Sequence, residues 1–292
     1  MDIWPNFFIV GASRAGTTSL YEYLQTISKI YMSPIKEPNY FNHVAVPNDD
    51  PIKFMIRDKK KYLELFKNVK NEKIIGEATP TYLLDPNTPL LIHKVSPNAK
   101  FLITLRNPID RIFSVYLMMF NLGRISYSIE DLVESLEKNG QQPDRTTQEF
   151  YTPLIKRYLD VFGAKCVKII IYEEWIKNIQ ETITSILEFL GLDNEDLNVD
   201  KKIHNPFRSS RGSISKFVIN NKTIVKLSRK VLGVKTRVAI KEKILLKKSI
   251  KPELQIEYRK RLVKVFTEDF KNLEKLLGKK LPWNDFSFSP KS

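Results

Sequence analysis

A short apolar run, Asn6 to Val10, breaks at Gly11; a second glycine, Gly16, follows, and then Leu20, Tyr23, Leu24 and Ile27 recur at helical spacing. Such a segment reads as strand, tight loop, helix. Within GASRAGTTSL, Gly11 to Leu20, the glycines let the backbone approach an anion, successive N–H groups converge on it, and the helix start adds a favourable partial charge. The loop is therefore built as an anion cradle. In the triphosphatase pattern G-x-x-x-x-G-K-[ST] a lysine precedes the hydroxyl residue, whereas here Thr17 precedes Thr18 and the cation sits inside the loop at Arg14. A guanidinium there offers a bidentate contact to phosphate or sulfate oxygens, which favours a nucleotide without a β,γ-pyrophosphate. A second reading makes the loop a tight turn in which Thr17 and Thr18 only cap the helix.

Further apolar runs at 73–76, 99–105 and 167–172 lack clean alternation and suit strands buried on both faces of a parallel sheet. Between them, periodicity predicts helices over 57–69, 108–121, 146–162 and 174–190, the second opening at Pro108, and 252–278 reads as an amphipathic helix ending at Gly278. Strand and helix alternate as in a right-handed α/β fold. At 292 residues and 42% hydrophobic composition the chain can bury a sizeable core, and disorder is excluded for most of it. A single cysteine, Cys166, excludes an intramolecular disulfide and is expected to be a buried, inert thiol in a reducing compartment. No run reaches the length of a membrane span and MDIWPNFFIV lacks the features of a signal peptide, so a soluble, cytoplasmic protein is expected.

The formal charge of +15 raises the prior for nucleic acid, an anionic membrane or an acidic small molecule. It is unevenly spread. Residues 201–292 hold 25 Lys and Arg against 7 Asp and Glu, a net +18, which leaves −3 for residues 1–200. The expected organisation is one domain over 1–292, an α/β body to residue 200 followed by a basic helical closing region.

A second strand-turn-helix, FLITLRNPIDRIFSVY at 101–116, puts Arg106 at the strand end and Ser114 two helical turns on. Either Arg106 pairs with Asp110 and Ser114 packs on the helix, or the two bind another anionic group. With both loops in view the chain resembles the P-loop sulfotransferases, which move a sulfuryl group from 3′-phosphoadenosine 5′-phosphosulfate (PAPS) to an acceptor hydroxyl or amine. The first loop resembles the family's P-K-x-G-T-T-x-L, with Ser13 for the proline and Arg14 for the lysine. The second resembles R-[DN]-P-x-x-R-x-x-S-x-Y, here Arg106, Asn107, Pro108, Arg111, Ser114 and Tyr116.

The resemblance implies a P-loop type central parallel sheet flanked by helices. It implies that Arg14, Ala15, Gly16, Thr17, Thr18 and Ser19 receive the 5′-phosphosulfate, Arg106 and Ser114 the 3′-phosphate, and that no metal is needed. Tyr172, in KIIIYEEW, falls beside the adenosine in some members, with ordinary strand-end packing as the other reading. Ser210, Arg211 and Gly212, in FRSSRG at 207–212, lie where the family has a late basic loop, with Phe207 a candidate neighbour of the adenine.

On the acceptor side, SPIKEPNYFNH at 33–43 is similar to the K-E-x-x-[FY]-F segment of carbohydrate and bacterial sulfotransferases, which nominates Glu37 as base with His43 as the alternative. The bland reading of Glu37 is a loop carboxylate paired with Lys36. Glu77, in GEATPTYL, resembles a segment near the acceptor, but Ala78 stands where glycosaminoglycan members commonly have lysine. His93 and His204 have no metal-ligand spacing. Two rivals remain: a binder of nucleic acid or anionic membranes, and a P-loop kinase or triphosphatase. Aromatic interleaving is missing from 201–250, so nucleic acid is not expected, whereas 214–250 suits peripheral contact with an anionic membrane. The acceptor, a saccharide or another hydroxyl compound, is not legible.

Overall fold

Both faces of the first strand are apolar: Phe8 and Val10 join one buried cluster, Phe7 and Ile9 the other. A strand of that kind belongs at the centre of a covered sheet. The computed structural model describes residues 2–42, 55–121, 124–143, 149–193, 208–210, 246–248 and 252–286. It places β1 (Phe7–Gly11) centrally in a parallel sheet of order β2-β3-β1-β4-β5, with β2 at Ile30–Met32, β3 at Ile74–Ala78, β4 at Lys100–Leu105 and β5 at Val167–Ile171. Phe7 pairs with Gly76 on one side and Lys100 on the other. The three later runs are thus β3, β4 and β5. The short β2 was missed because three residues carry no readable period.

One sheet face is covered by α1 (Thr17–Gln25) and α8 (Ile179–Leu190), the other by α6 (Tyr151–Phe162) and the end of α9 (Ile256–Leu277). The helix expected over 57–69 is shorter: α2 (Lys59–Leu63), capped by the Asp58 side chain, tightens into a 3-10 turn at Glu64–Phe66. The helix α4 (Pro108–Asn121) has the expected bounds. The 174–190 helix is divided into α7 (Tyr172–Trp175) and α8, because Asn178 leaves helical geometry between them. Two helices escaped the sequence reading, α3 (Thr88–His93) and α5 (Ile129–Asn139), the latter opened by a Ser128–Asp131 capping box. The closing helix α9 stops at Gly278 in the left-handed conformation and packs on α4, α5 and α6.

The expected helical closing region is present as α9, and a short strand pair precedes it in the chain. Arg208–Ser210 (β6) and Leu246–Lys248 (β7) pair as antiparallel strands, and β6 lies beside α4. Stretches of three residues are too short to show either period. Cys166 also departs from expectation, being half-buried at the end of a 3-10 turn just before β5.

Strand order decides where a ligand can sit. From β1 the chain runs out to β2 and β3 on one side, then crosses to β4 and β5 on the other, which makes the carboxyl end of β1 a topological switch point. The Gly11–Gly16 loop, the Arg106–Asn107 turn, Tyr172, Glu77 and the 33–42 segment all leave the sheet at this end.

Candidate active site

Between β1 and α1 the loop is held from below by Thr104, the polar member of the strand FLITL. The Ala12 N–H donates to the Thr104 carbonyl at 2.7 Å, the Thr104 hydroxyl donates to the Ala15 carbonyl at 2.8 Å, and Trp175 Nε1 donates to that hydroxyl at 3.2 Å. Gly16 is the helix N-cap at φ +84°, and a Cβ there would meet Trp175 Cζ2 at 2.2 Å. Only glycine fits both the backbone and the space. Neither Thr17 nor Thr18 makes a side-chain cap, so the capping reading of the loop does not hold. The first turn of α1 opens at Gly16 without a side-chain cap, an arrangement that in general presents backbone amides to an anion.

Arg14, at φ +69°, turns its side chain across the loop mouth, where Nε donates to Ser114 Oγ at 3.0 Å. Arg106 Nη1 donates to the Arg14 carbonyl at 3.1 Å, and its guanidinium lies 4.9 Å above the Tyr172 ring. The two anion loops, ninety residues apart in sequence, therefore meet. Asp110 does not pair with Arg106; its carboxylate takes Arg259 Nη1 at 2.9 Å instead. Among the described residues no carboxylate forms an ion pair with Arg14 or Arg106. Arg111, the other motif arginine, is by contrast neutralised by the buried Glu149 at 2.7 Å. Burial, and then the nearby Arg106 charge, push the Arg14 guanidinium below its ordinary pKa. Such a pair is electrostatically incomplete until a multiply charged anion arrives.

Ser210 pairs backbone to backbone with Leu246, and its strand lies beside the helix that carries Ser114. Arg211, Gly212, Phe207, His43, His204 and most of 214–250 lie outside the described residues.

On the other side of the switch point the 33–42 segment is pinned to the chain after β3. The Glu37 N–H donates to the Ala78 carbonyl at 2.9 Å, and Asn39 Nδ2 donates back to the Glu37 carbonyl at 2.7 Å. Thr81 donates to Asn39 Oδ1 at 3.0 Å and accepts from Asn42 Nδ2 at 2.8 Å. Glu37 and Asn39 both adopt left-handed backbone, at φ +60° and +55°, which non-glycine residues hold only under such constraint. The Glu37 side chain is 45% exposed and Oε1 accepts from Lys36 Nζ at 2.6 Å. The ion pair named in the bland reading is present, on a backbone fixed by buried Asn39, Thr81 and Asn42.

Glu77 is fully buried at the end of β3. The Tyr62 and Tyr82 hydroxyls are its polar neighbours, yet among the described residues neither carboxyl oxygen has a hydrogen-bond partner of good geometry. Burial outweighs those hydroxyls and lifts its pKa to about 8. The folded protein therefore keeps this proton while the unfolded chain releases it near 4.5. Stability is expected to fall as pH rises from the unfolded toward the folded value, by about 1.4 kcal/mol per pH unit at full effect, and to level off above. Glu77→Gln should flatten this slope, raising the melting temperature near pH 8 and leaving it unchanged near pH 4; parallel profiles for the two proteins would refute the assignment.

Sequence reasoning missed Thr104, Glu173, Asn39 and Thr81. A polar residue inside an apolar strand was the available signal for Thr104; the others act through partners far away in sequence.

Comparison with known proteins gives one consistent result. A family profile described as "Sulfotransferase family" matches residues 58–196. The membrane-associated sulfotransferase kil1 of Dictyostelium discoideum is 37% identical over 135 residues, 44% of this chain and 27% of that protein. Human carbohydrate sulfotransferase 15 is 25% identical over 248 residues, 64% of this chain and 44% of that protein. This chain thus spans less than half the length of either relative. The crystal structure of a sulfotransferase from Alicyclobacillus acidocaldarius superposes with a TM-score of 0.71 at 29% identity, covering 97% of this chain and 99% of that one.

Proposed function

We propose that this chain, matched by a sulfotransferase family profile over residues 58–196 and similar along almost its whole length to a bacterial sulfotransferase structure, is a PAPS-dependent enzyme that transfers a sulfuryl group to an acceptor hydroxyl, with a saccharide as the favoured acceptor class. The observation that carries this reading is the convergence of Arg14, Arg106 and Ser114 at the switch point, with no carboxylate among the described residues ion-paired to either arginine. Two cationic groups and a first-turn amide cradle suit a donor that is anionic at both ends. PAPS supplies the activated sulfuryl group and leaves as 3′-phosphoadenosine 5′-phosphate (PAP).

Each residue then has a task. The Gly11–Gly16 loop with Thr17, Thr18 and Ser19 binds the 5′ end of the nucleotide, and Arg14 offsets charge growing on the leaving phosphate. Arg106 and Ser114 hold the 3′-phosphate, Tyr172 flanks the nucleoside, and Ser210, Arg211 and Gly212 are further contacts to the nucleotide. Glu37 accepts the proton of the incoming hydroxyl. This carboxylate stands on the β2–β3 side of the sheet, across the switch point from Arg106 and Ser114, so acceptor and donor approach from opposite sides. The chain works as one unit over 1–292, supported by the packing of α9 on α4, α5 and α6.

The saccharide reading draws on the carbohydrate sulfotransferase among the relatives. Action in the cytoplasm draws on the single cysteine. No helix among the described residues is long and apolar enough to cross a membrane. A +18 region at 201–292 keeps peripheral contact with an anionic membrane as the second reading of the basic tail.

Incubation with sulfur-35-labelled PAPS and fractionated cell glycans should move label into a saccharide fraction with release of PAP. Salt-dependent binding of duplex DNA without PAP binding would overturn the reading, as would ATP turnover that requires magnesium.

A further inference from the structure

The turn that presents Arg106 is held from the far end of the chain. The Asn107 N–H donates to Glu173 Oε1 at 2.9 Å, while Asn107 Nδ2 donates to Asp285 Oδ2 at 2.7 Å. Its Oδ1 accepts from the Ile109 N–H at 3.0 Å and so caps α4. Asp285 also accepts from Nε and Nη2 of Arg259, both at 2.8 Å, a fork that fixes the carboxylate in its plane. The other oxygen of Glu173 accepts from Trp283 Nε1 at 3.0 Å. Trp283 is buried against Tyr151, whose hydroxyl donates to the Arg106 carbonyl at 2.8 Å. The polar groups of the turn are thus tied to Trp283 and Asp285 directly or through a single intermediary.

These ties matter for the site because Arg106 joins its parts: its guanidinium bonds the backbone of the first loop and covers Tyr172. Resting on the reading of Arg106 and Ser114 as ligands of a 3′-phosphate, we propose that Trp283–Asp285 is a latch on the second anion loop, with Asp285 a positioning residue that sets the enzyme's preference for a 3′-phosphorylated nucleotide.

Loss of the Asp285 carboxylate frees Asn107 Nδ2 and leaves Arg259 without its fork. A shift of the Arg106 backbone by even a fraction of an ångström would then misplace its guanidinium, and displacements of about 1 Å at a positioned group cost on the order of a hundredfold. The larger effect falls on the 3′ end, since the first loop loses only the Arg106 bond to the Arg14 carbonyl and keeps its ties to Thr104 and Trp175.

The test is calorimetric binding of PAP and of adenosine 5′-monophosphate to the full chain, well below the melting temperature of each variant. In Asp285→Ala the preference for PAP over the monophosphate should fall by about tenfold or more. Asp285→Asn retains an oxygen for Asn107 and should stay within about threefold of wild type. Trp283→Phe keeps the ring but releases Glu173, and should lose part of the preference even if Asp285→Ala fails to fold. Equal weakening of both nucleotides, or an unchanged ratio alongside a lower melting temperature, would reduce the latch to a structural role and sink the proposal. Failure of the underlying site reading looks different: wild type would then bind PAP no better than the monophosphate.

Discussion

Replacing Arg14 with alanine should cost about 2 to 4 kcal/mol of donor binding and transition-state stabilisation, roughly 30- to 1000-fold in kcat/KM, if it behaves as a lost oxyanion donor does. The loop itself should survive, because its backbone is fixed by Thr104 and by the glycine seated against Trp175 rather than by the Arg14 side chain. In the folded protein Arg14 already bears a cost, being partly buried beside a second guanidinium with no ion-paired acid among the described residues. Removal should therefore leave the melting temperature unchanged or raise it, while PAP affinity collapses. Arg14→Lys keeps the charge but cannot donate from Nε to Ser114 while also contacting an anion, so an intermediate loss is expected. Wild-type affinity for PAP in Arg14→Ala would remove this residue from the donor site.

The same contrast shows what could be read from residues alone. Glycine spacing after an apolar run marks a strand-loop-helix cradle because glycine is almost the only residue that serves there, and Gly16 is such a case. Arg106 was legible for a similar reason, sitting at the end of an apolar strand and before a proline that opens a helix. The partners of these residues were not. Thr104 lies 89 residues from Ala15, Glu173 lies 66 from Asn107, and Asp285 lies 178 from the same Asn107. Hydrogen bonds over such separations leave no period in the sequence; they follow from the strand order, which places the ends of β1, β4 and β5 side by side. Short elements were lost too: β2 and the β6–β7 pair have three residues per strand, fewer than any pattern needs.

Charge also reads differently once the fold is known. The body to residue 200 is nearly neutral, yet among the described residues none of its acids forms an ion pair with Arg14 or Arg106: Asp110 goes to Arg259, Glu149 to Arg111, and Glu173 takes the Asn107 N–H. Local imbalance, not net charge, marks the site. The +18 of residues 201–292 is a separate matter, and its largest part lies outside the described residues.

Glu37→Gln should reduce turnover by about a hundred- to ten-thousandfold, the range expected for a lost general base, while PAP binds within about twofold of wild type. The amide cannot take a proton, but it preserves the shape of the side chain and the left-handed backbone that Asn39 and Ala78 impose. Lys36 is the complication. Its ammonium donates to Oε1, so an acceptor hydroxyl must displace it or use Oε2. Lys36→Met distinguishes these cases: a competitor for the proton-accepting oxygen gives a faster enzyme when removed, whereas a residue that orients the carboxylate or holds the acceptor gives a slower one. A paired surface carboxylate with no catalytic task would leave turnover unchanged in Glu37→Gln. If that happens and His43→Ala is inactive, the base is His43. If both variants retain full turnover, proton removal falls to a group that neither the sequence motif nor the pinned 33–42 segment identifies.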